Sequence, residues 1–209
     1  MALQPPVVIL ADGPFPTHPE PLRCIRTAGT LICCDGAANG LHDRGLTPAI
    51  VIGDLDSISQ EARRAWSDRL VDLPGQAASD LEKAIRWAAE RGAAELAITG
   101  ALGGRDDHTL AALFMLWTDF GVEVELVTDA GRLVRVDGRT RREAYPGQTV
   151  GLFPLSAEVR FSTRGLVWDL ADEVLPALHS GASNRSAGED ISIGVSGGPA
   201  LLFLAHRPE

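Results

Sequence analysis

The chain has 209 residues, of which 45% are hydrophobic and 22% charged, so it can bury a sizeable core and is not disordered. The formal net charge of −9 at pH 7 argues against nucleic acid or an anionic membrane as the main partner, because both select for basic surfaces. No apolar run reaches the ~20 residues that would span a bilayer.

The cysteines indicate the cellular compartment. The chain has three cysteines, an odd number: Cys24, Cys33 and Cys34. No pair of them has the Cys-x-x-Cys spacing of a metal or redox site. The start of the chain also lacks the basic segment and apolar core of a secretory signal peptide. We therefore expect reduced, buried thiols in a cytoplasmic protein.

Short apolar runs open the chain. Val7–Ala11 predicts a first strand, and the proline-rich segment 14–21 predicts an irregular surface loop. Thr30–Cys34 predicts a second strand, which is followed at once by Asp35 and Gly36. Small residues at such a place let the backbone come close to a ligand, although Asp35 is equally suited to be a plain helix N-cap.

A third apolar run, Ala49–Ile52, leads through a glycine to Asp54 and Asp56. On an extended chain these two carboxylates point the same way, and together they suit a Mg²⁺ ion that keeps its other sites for water and phosphate oxygens. The alternative is that they are ordinary turn residues, with Ser57 capping the next helix and Gln60 completing a capping box.

The segment after Pro74-Gly75 predicts a helix. Ser79-Asp80-Leu81-Glu82 fits a capping box, and an apolar face follows at helical spacing. Its members are Leu81, Ala84, Ile85, Ala88 and Ala89. Asp80 is either a complement to the helix dipole or a metal ligand, and Lys83 is either solvated or within reach of a phosphate.

The next strand, Glu95–Gly100, leads into a loop with an unusual density of charged groups after a Gly-Gly turn. Gly103 and Gly104 allow close backbone approach, and Arg105 offers a planar fork of donors for phosphate oxygens. Asp107 is placed to cap the following helix, and His108 either binds substrate or packs. We assign the helical face of that next segment to the core; it consists of Leu110, Leu113, Phe114 and Trp117.

The pattern of strand, acidic turn and helix predicts an open, mostly parallel, Rossmann-like α/β domain over residues 1–130. Asp35, Asp54, Asp56 and Arg105 all follow strand ends, which line the ligand crevice in such sheets. This favours Mg²⁺-nucleotide chemistry, with a phosphohydrolase as a weaker alternative. The sequence has neither a P-loop nor a dinucleotide-binding Gly-x-Gly-x-x-Gly after the first strand.

From about residue 131 onward, short apolar runs alternate with glycine and proline turns. This spacing predicts an antiparallel β-sandwich over residues 131–209. About 80 residues is small for an independent core, so we expect support from the first domain or from a second subunit.

Taken together, the motifs resemble those of the thiamine pyrophosphokinase (thiamine diphosphokinase) family over nearly the whole chain. The resemblance rests on six blocks in the right order, namely 35–39, 53–57, 79–84, 100–108, 163–170 and 182–184. It implies a homodimer with sites at the interface. The implied reaction is transfer of diphosphate from ATP to the thiamine hydroxyl, with release of AMP.

The resemblance also implies residue roles. It assigns Mg²⁺ binding and catalysis to Asp54, Asp56 and Asp80, with Arg105 as the phosphate-binding catalytic residue. The expected nucleotide-binding residues are Asp35, Lys83, Gly103, Gly104, Arg105, Asp107 and His108. The expected thiamine-binding residues are Trp168, Ser183 and Asn184, although Trp168 is equally suited to the sandwich core.

The sequence departs from the family at two places. Family members usually carry an acid two or three residues before a Thr-Asp pair, where this chain has Ala77 and, for the threonine, Ser79. The second aromatic residue that the family is expected to place against thiamine, late in the sandwich, falls near Leu202-Phe203 in this chain. Two other hypotheses therefore stay open: a pyrophosphokinase for another alcohol such as a pterin, and a non-catalytic nucleotide- or thiamine-binding regulator.

Overall fold

The computed structural model describes residues 1–208, and the chain divides into two compact units. The first unit is Met1–Asp129, and the second begins at Ala130. Among the described residues, no helix combines the length and the apolar character needed to cross a membrane.

The first unit is an α/β fold around a parallel sheet. Its strands are β1 (Val7–Leu10), β2 (Thr30–Cys34), β3 (Ile50–Gly53), β4 (Leu70–Asp72), β5 (Glu95–Thr99) and β6 (Glu123–Val127). Its helices are α1 (Pro19–Thr27), α2 (Gln60–Ala65), α3 (Asp80–Ala89) and α4 (Asp106–Met115), with 3₁₀ turns at Gly36–Gly40 and His42–Arg44. The strand order is β6-β5-β1-β2-β3-β4.

Every neighbouring pair in this sheet is parallel, so all six strands end at the same edge. Every residue of β1 and β2 is buried, as expected for strands covered on both faces. The predicted parallel α/β architecture is therefore confirmed. The proline-rich segment differs from the prediction, because α1 begins inside it at Pro19.

Helix α3 forms as its capping sequence predicts. The Ser79 hydroxyl accepts a hydrogen bond from the Glu82 backbone N–H at 3.3 Å, which satisfies one of the free donors of the first turn. Most of the predicted apolar face is buried, namely Leu81, Ala84, Ile85 and Ala88.

Helix α4 corrects one prediction. The face that we assigned to the core is largely exposed, with Phe114 at 60% and both Leu110 and Trp117 also open to solvent. The helix packs instead through the smaller Ala112 and through Leu116 just beyond its end. Helical spacing thus identified an apolar face correctly, but it did not show that this face is exposed to solvent.

The second unit is an antiparallel sandwich, as the sequence predicts. Its strands are β7 (Gly131–Val136), β8 (Arg139–Glu143), β9 (Thr149–Pro154), β10 (Arg160–Arg164), β11 (Ala171–Val174), β12 (Asn184–Arg185), β13 (Asp190–Ser196) and β14 (Ala200–Ala205). Within this unit the strands are arranged as β12-β9-β14-β7 and β11-β10-β13-β8. Alternate residues of both sheets form one core, in which Phe161 is fully buried.

We expect Phe161→Ala to lower the free energy of unfolding of the second unit by about 3–5 kcal/mol, because it removes a buried ring and leaves a cavity. Denaturant titration followed by circular dichroism measures the change. Leu178→Ala is the control in the same unit, because Leu178 is half exposed. Equal effects of the two substitutions would contradict this core assignment.

Candidate functional site

The carboxyl edge of the parallel sheet gathers the acidic side chains. Asp35 follows β2, Asp54 follows β3, and Asp80 opens α3 beside them. A Cβ built on Gly53 would lie 3.0 Å from Cγ of Asp80 and 3.1 Å from Cγ of Asp35, so both carboxylates pack against this glycine. The structure therefore brings these predicted residues together.

Asp35 is the most buried of these acids, with 1% of its surface exposed. Its carboxylate accepts hydrogen bonds from the backbone N–H groups of Gly36 at 2.6 Å and Ser57 at 3.3 Å. Burial raises the pKa of Asp35, and these two hydrogen bonds oppose the rise. Asp35 is thus both the predicted N-cap of a short helical turn and a member of the site.

The turn after β3 differs from the extended chain that the sequence suggested. Leu55 lies between the two aspartates in the left-handed region at φ 62°, a conformation that costs a non-glycine residue about 1 kcal/mol. Its buried side chain packs in the core of the first unit and holds this turn in place. The Asp54 Oδ1 accepts the Asp56 backbone N–H at 3.4 Å, which closes the turn.

One set of carboxylates has the spacing of a cation site. A ligand oxygen from each of Asp35, Asp54 and Asp56 lies within 4.8 Å of the others. Carboxylate oxygens are the protein ligands that Mg²⁺ prefers, so these residues fit that ion. The predicted trio had Asp80 in place of Asp35.

Asp80 is instead held by a lysine. The Lys83 ammonium lies 2.8 Å from Oδ1 of Asp80 and 3.8 Å from Oδ2 of Asp54. Burial lowers the pKa of Lys83, but the hydrogen bond and the charge of Asp80 outweigh it and leave the pKa above its ordinary value. The lysine therefore belongs to the acidic group and is not a solvated surface residue.

A cleft of about 510 Å³ opens beside these acids. Gly13 and Gly104 line one wall, and Arg105 and His108 reach it from the start of α4. The Gly13 N–H donates to the Gly100 carbonyl at 2.8 Å, and a Cβ on Gly13 would lie 2.3 Å from that oxygen. Only glycine allows this close backbone contact, which leaves the wall free of side chains.

Arg105 and Asp107 form a two-point ion pair at the start of α4. Arg105 donates from Nε to Oδ1 of Asp107 at 3.1 Å and from Nη2 to Oδ2 at 2.6 Å. The pKa of Asp107 is lowered, first by this hydrogen bonding. Asp107 lies inside the helix and does not cap it, so our expectation of a cap was wrong.

The glycine pair before this helix has separate roles. Gly103 adopts φ +88°, which favours glycine, and its N–H donates to the Thr109 hydroxyl at 3.3 Å. Gly104 lines the cleft itself. The turn thus fixes the approach of Arg105 to the cleft.

The second unit presents the remaining predicted residues. Trp168 is 60% exposed, which rules out the alternative that it belongs to the sandwich core. The Asn184 side chain accepts from the Trp168 N–H at 3.3 Å and donates to the Trp168 carbonyl at 2.8 Å. Ser183 precedes it at φ 70°. A flat aromatic surface and a strained turn are therefore held side by side.

The sequence reasoning did not select Asp12, which lies just beyond β1 and lines the cleft. The pKa of this carboxyl is raised by partial burial, then by the charges of Asp35 and Asp80, while His108 opposes the rise. The same pattern that identified Asp35, an acid directly after a buried strand, was available for Asp12.

We expect Asp12→Asn to raise the thermal unfolding midpoint modestly at pH 7. A carboxyl with a raised folded-state pKa costs stability once it ionises, so the cost appears as the pH rises above the unfolded value of 3.8. The gain should disappear below that pH. Calorimetry across pH 3–8 measures it against Asp43→Asn, an exposed acid, and a gain that is constant with pH would contradict this reading.

Comparison with known proteins gives matches for both units. The family model described as "Thiamin pyrophosphokinase, catalytic domain" matches residues 22–127. The model described as "Thiamin pyrophosphokinase, vitamin B1 binding domain" matches residues 139–198.

Curated relatives have the same family name. Thiamine pyrophosphokinase 2 of Oryza sativa subsp. japonica is 30% identical over 173 residues, which cover 68% of this chain and 64% of that protein. The chain thus spans less than two thirds of that relative. Thiamine pyrophosphokinase of Bacillus subtilis (strain 168) is 29% identical over 122 residues, 56% of this chain and 57% of that protein.

Solved structures share the fold. A thiamine pyrophosphokinase from Bacillus subtilis superposes with a TM-score of 0.83 at 21% identity, over 97% of this chain and 99% of that chain. A thiamin pyrophosphokinase from Candida albicans superposes with a TM-score of 0.81 at 17% identity, over 99% of this chain and 96% of that chain. With both of its units matched by the family models, the chain belongs to the thiamin pyrophosphokinase family.

Proposed function

We propose that the protein transfers diphosphate from ATP to the hydroxyl of thiamine, giving thiamine diphosphate and AMP. The observation that carries the proposal is the acidic edge of the parallel sheet, with Lys83 and Arg105 beside it, in a chain of this family. The thiamine oxygen forms a bond to the β-phosphorus as its hydroxyl proton passes to water, the bond from that phosphorus to the α–β bridging oxygen breaks, and AMP leaves with that oxygen.

The chain's own residues supply positioning and charge. Asp107 holds the Nε and Nη2 edge of the Arg105 guanidinium, which leaves Nη1 to donate to phosphate oxygens. The glycine wall at Gly13 and Gly104 lets backbone approach the nucleotide closely. Well-placed groups of this kind account for most of the rate in diphosphate transfer, because little covalent chemistry is asked of the protein.

We propose Asp54, Asp56 and Asp80 as the residues that hold Mg²⁺, as the family resemblance implies. The geometry supports Asp54 and Asp56 and adds Asp35, whose oxygen lies within the same 4.8 Å group. When bound, Mg²⁺ neutralises charge on the phosphate oxygens. Ala77 contributes no carboxylate, and Asp35 offers a third acid to the group.

For thiamine we propose Trp168, Ser183 and Asn184 of the second unit. The exposed indole offers a face on which a flat heterocycle can stack, and the Asn184 amide fixes its backbone. We further propose a reducing, cytoplasmic location, because all three cysteines are free and two of them are buried.

We expect Asp54→Ala to lower thiamine-dependent AMP release by about 100-fold or more, because removal of a ligand weakens both metal binding and phosphate neutralisation. AMP formation from ATP and Mg²⁺, with and without thiamine, measures the effect. Asp43→Ala removes an exposed acid from the same unit and should leave the rate unchanged.

Two results would replace the proposal. AMP release that is indifferent to thiamine would indicate another acceptor, such as a pterin, or hydrolysis. Thiamine binding without AMP release by the wild type would indicate a non-catalytic regulator.

We also propose that the chain acts as a homodimer with its sites at the interface. An exposed apolar stripe supports this. It consists of Leu110 and Phe114 of α4 with Trp117 just beyond the helix, and the two aromatic rings pack edge to face at 5.3 Å. A contiguous apolar surface of this kind is typical of a subunit contact.

We expect Phe114→Asp to shift the protein toward the monomer at micromolar concentration, because it buries a charge in the proposed contact. Light scattering coupled to size-exclusion chromatography measures the mass. Val174→Asp, which alters an exposed apolar residue of the second unit, is the control. A dimer that is unaffected by Phe114→Asp would show that α4 lies outside the contact.

A further inference from the structure

Lys83 is the single lysine in the chain, and it lies inside the acidic group. Its side chain is 10% exposed, and its ammonium contacts oxygens of two carboxylates, those of Asp80 and Asp54. Every other basic side chain in the protein, apart from histidine, is an arginine. An ammonium is a compact charge on a flexible stem, so it can leave one set of oxygens for another more readily than a bidentate guanidinium.

Lys83 and a divalent cation have overlapping requirements. The Lys83 ammonium lies 3.8 Å from Oδ2 of Asp54 and 2.8 Å from Oδ1 of Asp80, and both carboxylates belong to the proposed metal set. Two positive charges on the same carboxylate oxygens repel each other strongly in a partly buried site. Each cation therefore weakens the binding of the other to these carboxylates.

We propose that Lys83 is an internal counter-cation that competes with the divalent ion for Asp54 and Asp80 and moves to the phosphate oxygens when the metal–nucleotide complex binds. This inference rests on the proposed function, because it takes the metal set from there. It gives one residue two successive partners: carboxylates first, and the nucleotide phosphates afterwards.

The neighbouring Arg86 provides a matched comparison. It lies three residues further along α3, where its guanidinium pairs with Glu82 at 2.8 Å and is more than half exposed. Removing its charge changes the net charge of the helix by the same amount as removing that of Lys83. Only the Lys83 substitution frees carboxylates of the site.

The test is Mn²⁺ binding without nucleotide, followed by the electron paramagnetic resonance of the free ion. We expect Lys83→Met to bind Mn²⁺ about tenfold more tightly than the wild type, since a like charge within ~4–6 Å is removed. Lys83→Arg and Arg86→Met should stay close to the wild-type affinity. Equal or weaker binding by Lys83→Met would overturn the competition.

A second readout needs no substitution. Reductive ¹³C-methylation labels Lys83 as the only side-chain amine, and its NMR resonance is distinct from that of the terminal amine. We expect Mg²⁺ alone to move this resonance and ATP to move it again. A resonance that does not shift on addition of Mg²⁺ would overturn the proposal, whereas thiamine-dependent AMP release by the unmodified wild type would keep the proposed function intact.

Discussion

Repulsion among carboxylates is the constraint on which the site depends. Parallel strands end at one edge, so Asp12, Asp35 and Asp54 are brought close together by the topology itself. Burial raises the pKa of Asp12 and Asp35, and the charges of neighbouring carboxylates add to the rise. The chain offsets part of this cost with backbone N–H donors to Asp35 and with the ammonium of Lys83. The remaining negative charge favours a cation at this edge.

The sequence predicted the elements that depend on local patterns. Buried apolar runs gave most of the parallel strands, and the Ser79 capping pattern gave the start of α3 to the residue. The predictions that failed concern the surroundings of a helix face or side chain. The apolar face of α4 has helical spacing, but spacing does not say whether protein or solvent covers it. For Asp107, the nearby Arg105 guanidinium offered stronger donors than the backbone N–H groups of the helix.

In the site too, features set by local sequence patterns were predictable and features set by tertiary packing were not. Acids after strands were found because the parallel sheet places them at one edge, although Asp12 was overlooked beside the same edge. The grouping of Asp35 with Asp54 and Asp56, in place of Asp80, was not predictable. It follows from the left-handed turn at Leu55 and from the reach of a lysine side chain, neither of which a residue pattern specifies. Backbone detail of this kind is set by tertiary packing, here by the burial of Leu55.

The pairing of cations with acids also bears on how the proposed transfer proceeds. Asp80 and Asp107 are candidate general bases for the attacking hydroxyl, and each pairs with a basic side chain. The hydrogen bonds from Arg105 lower the pKa of Asp107 and so make that carboxylate a weaker base. The same pairs hold Lys83 and Arg105 in defined positions beside the cleft. We therefore propose placed positive charge, in preference to proton abstraction, as the main contribution of the protein to the transfer, because the developing charge lies on phosphate oxygens.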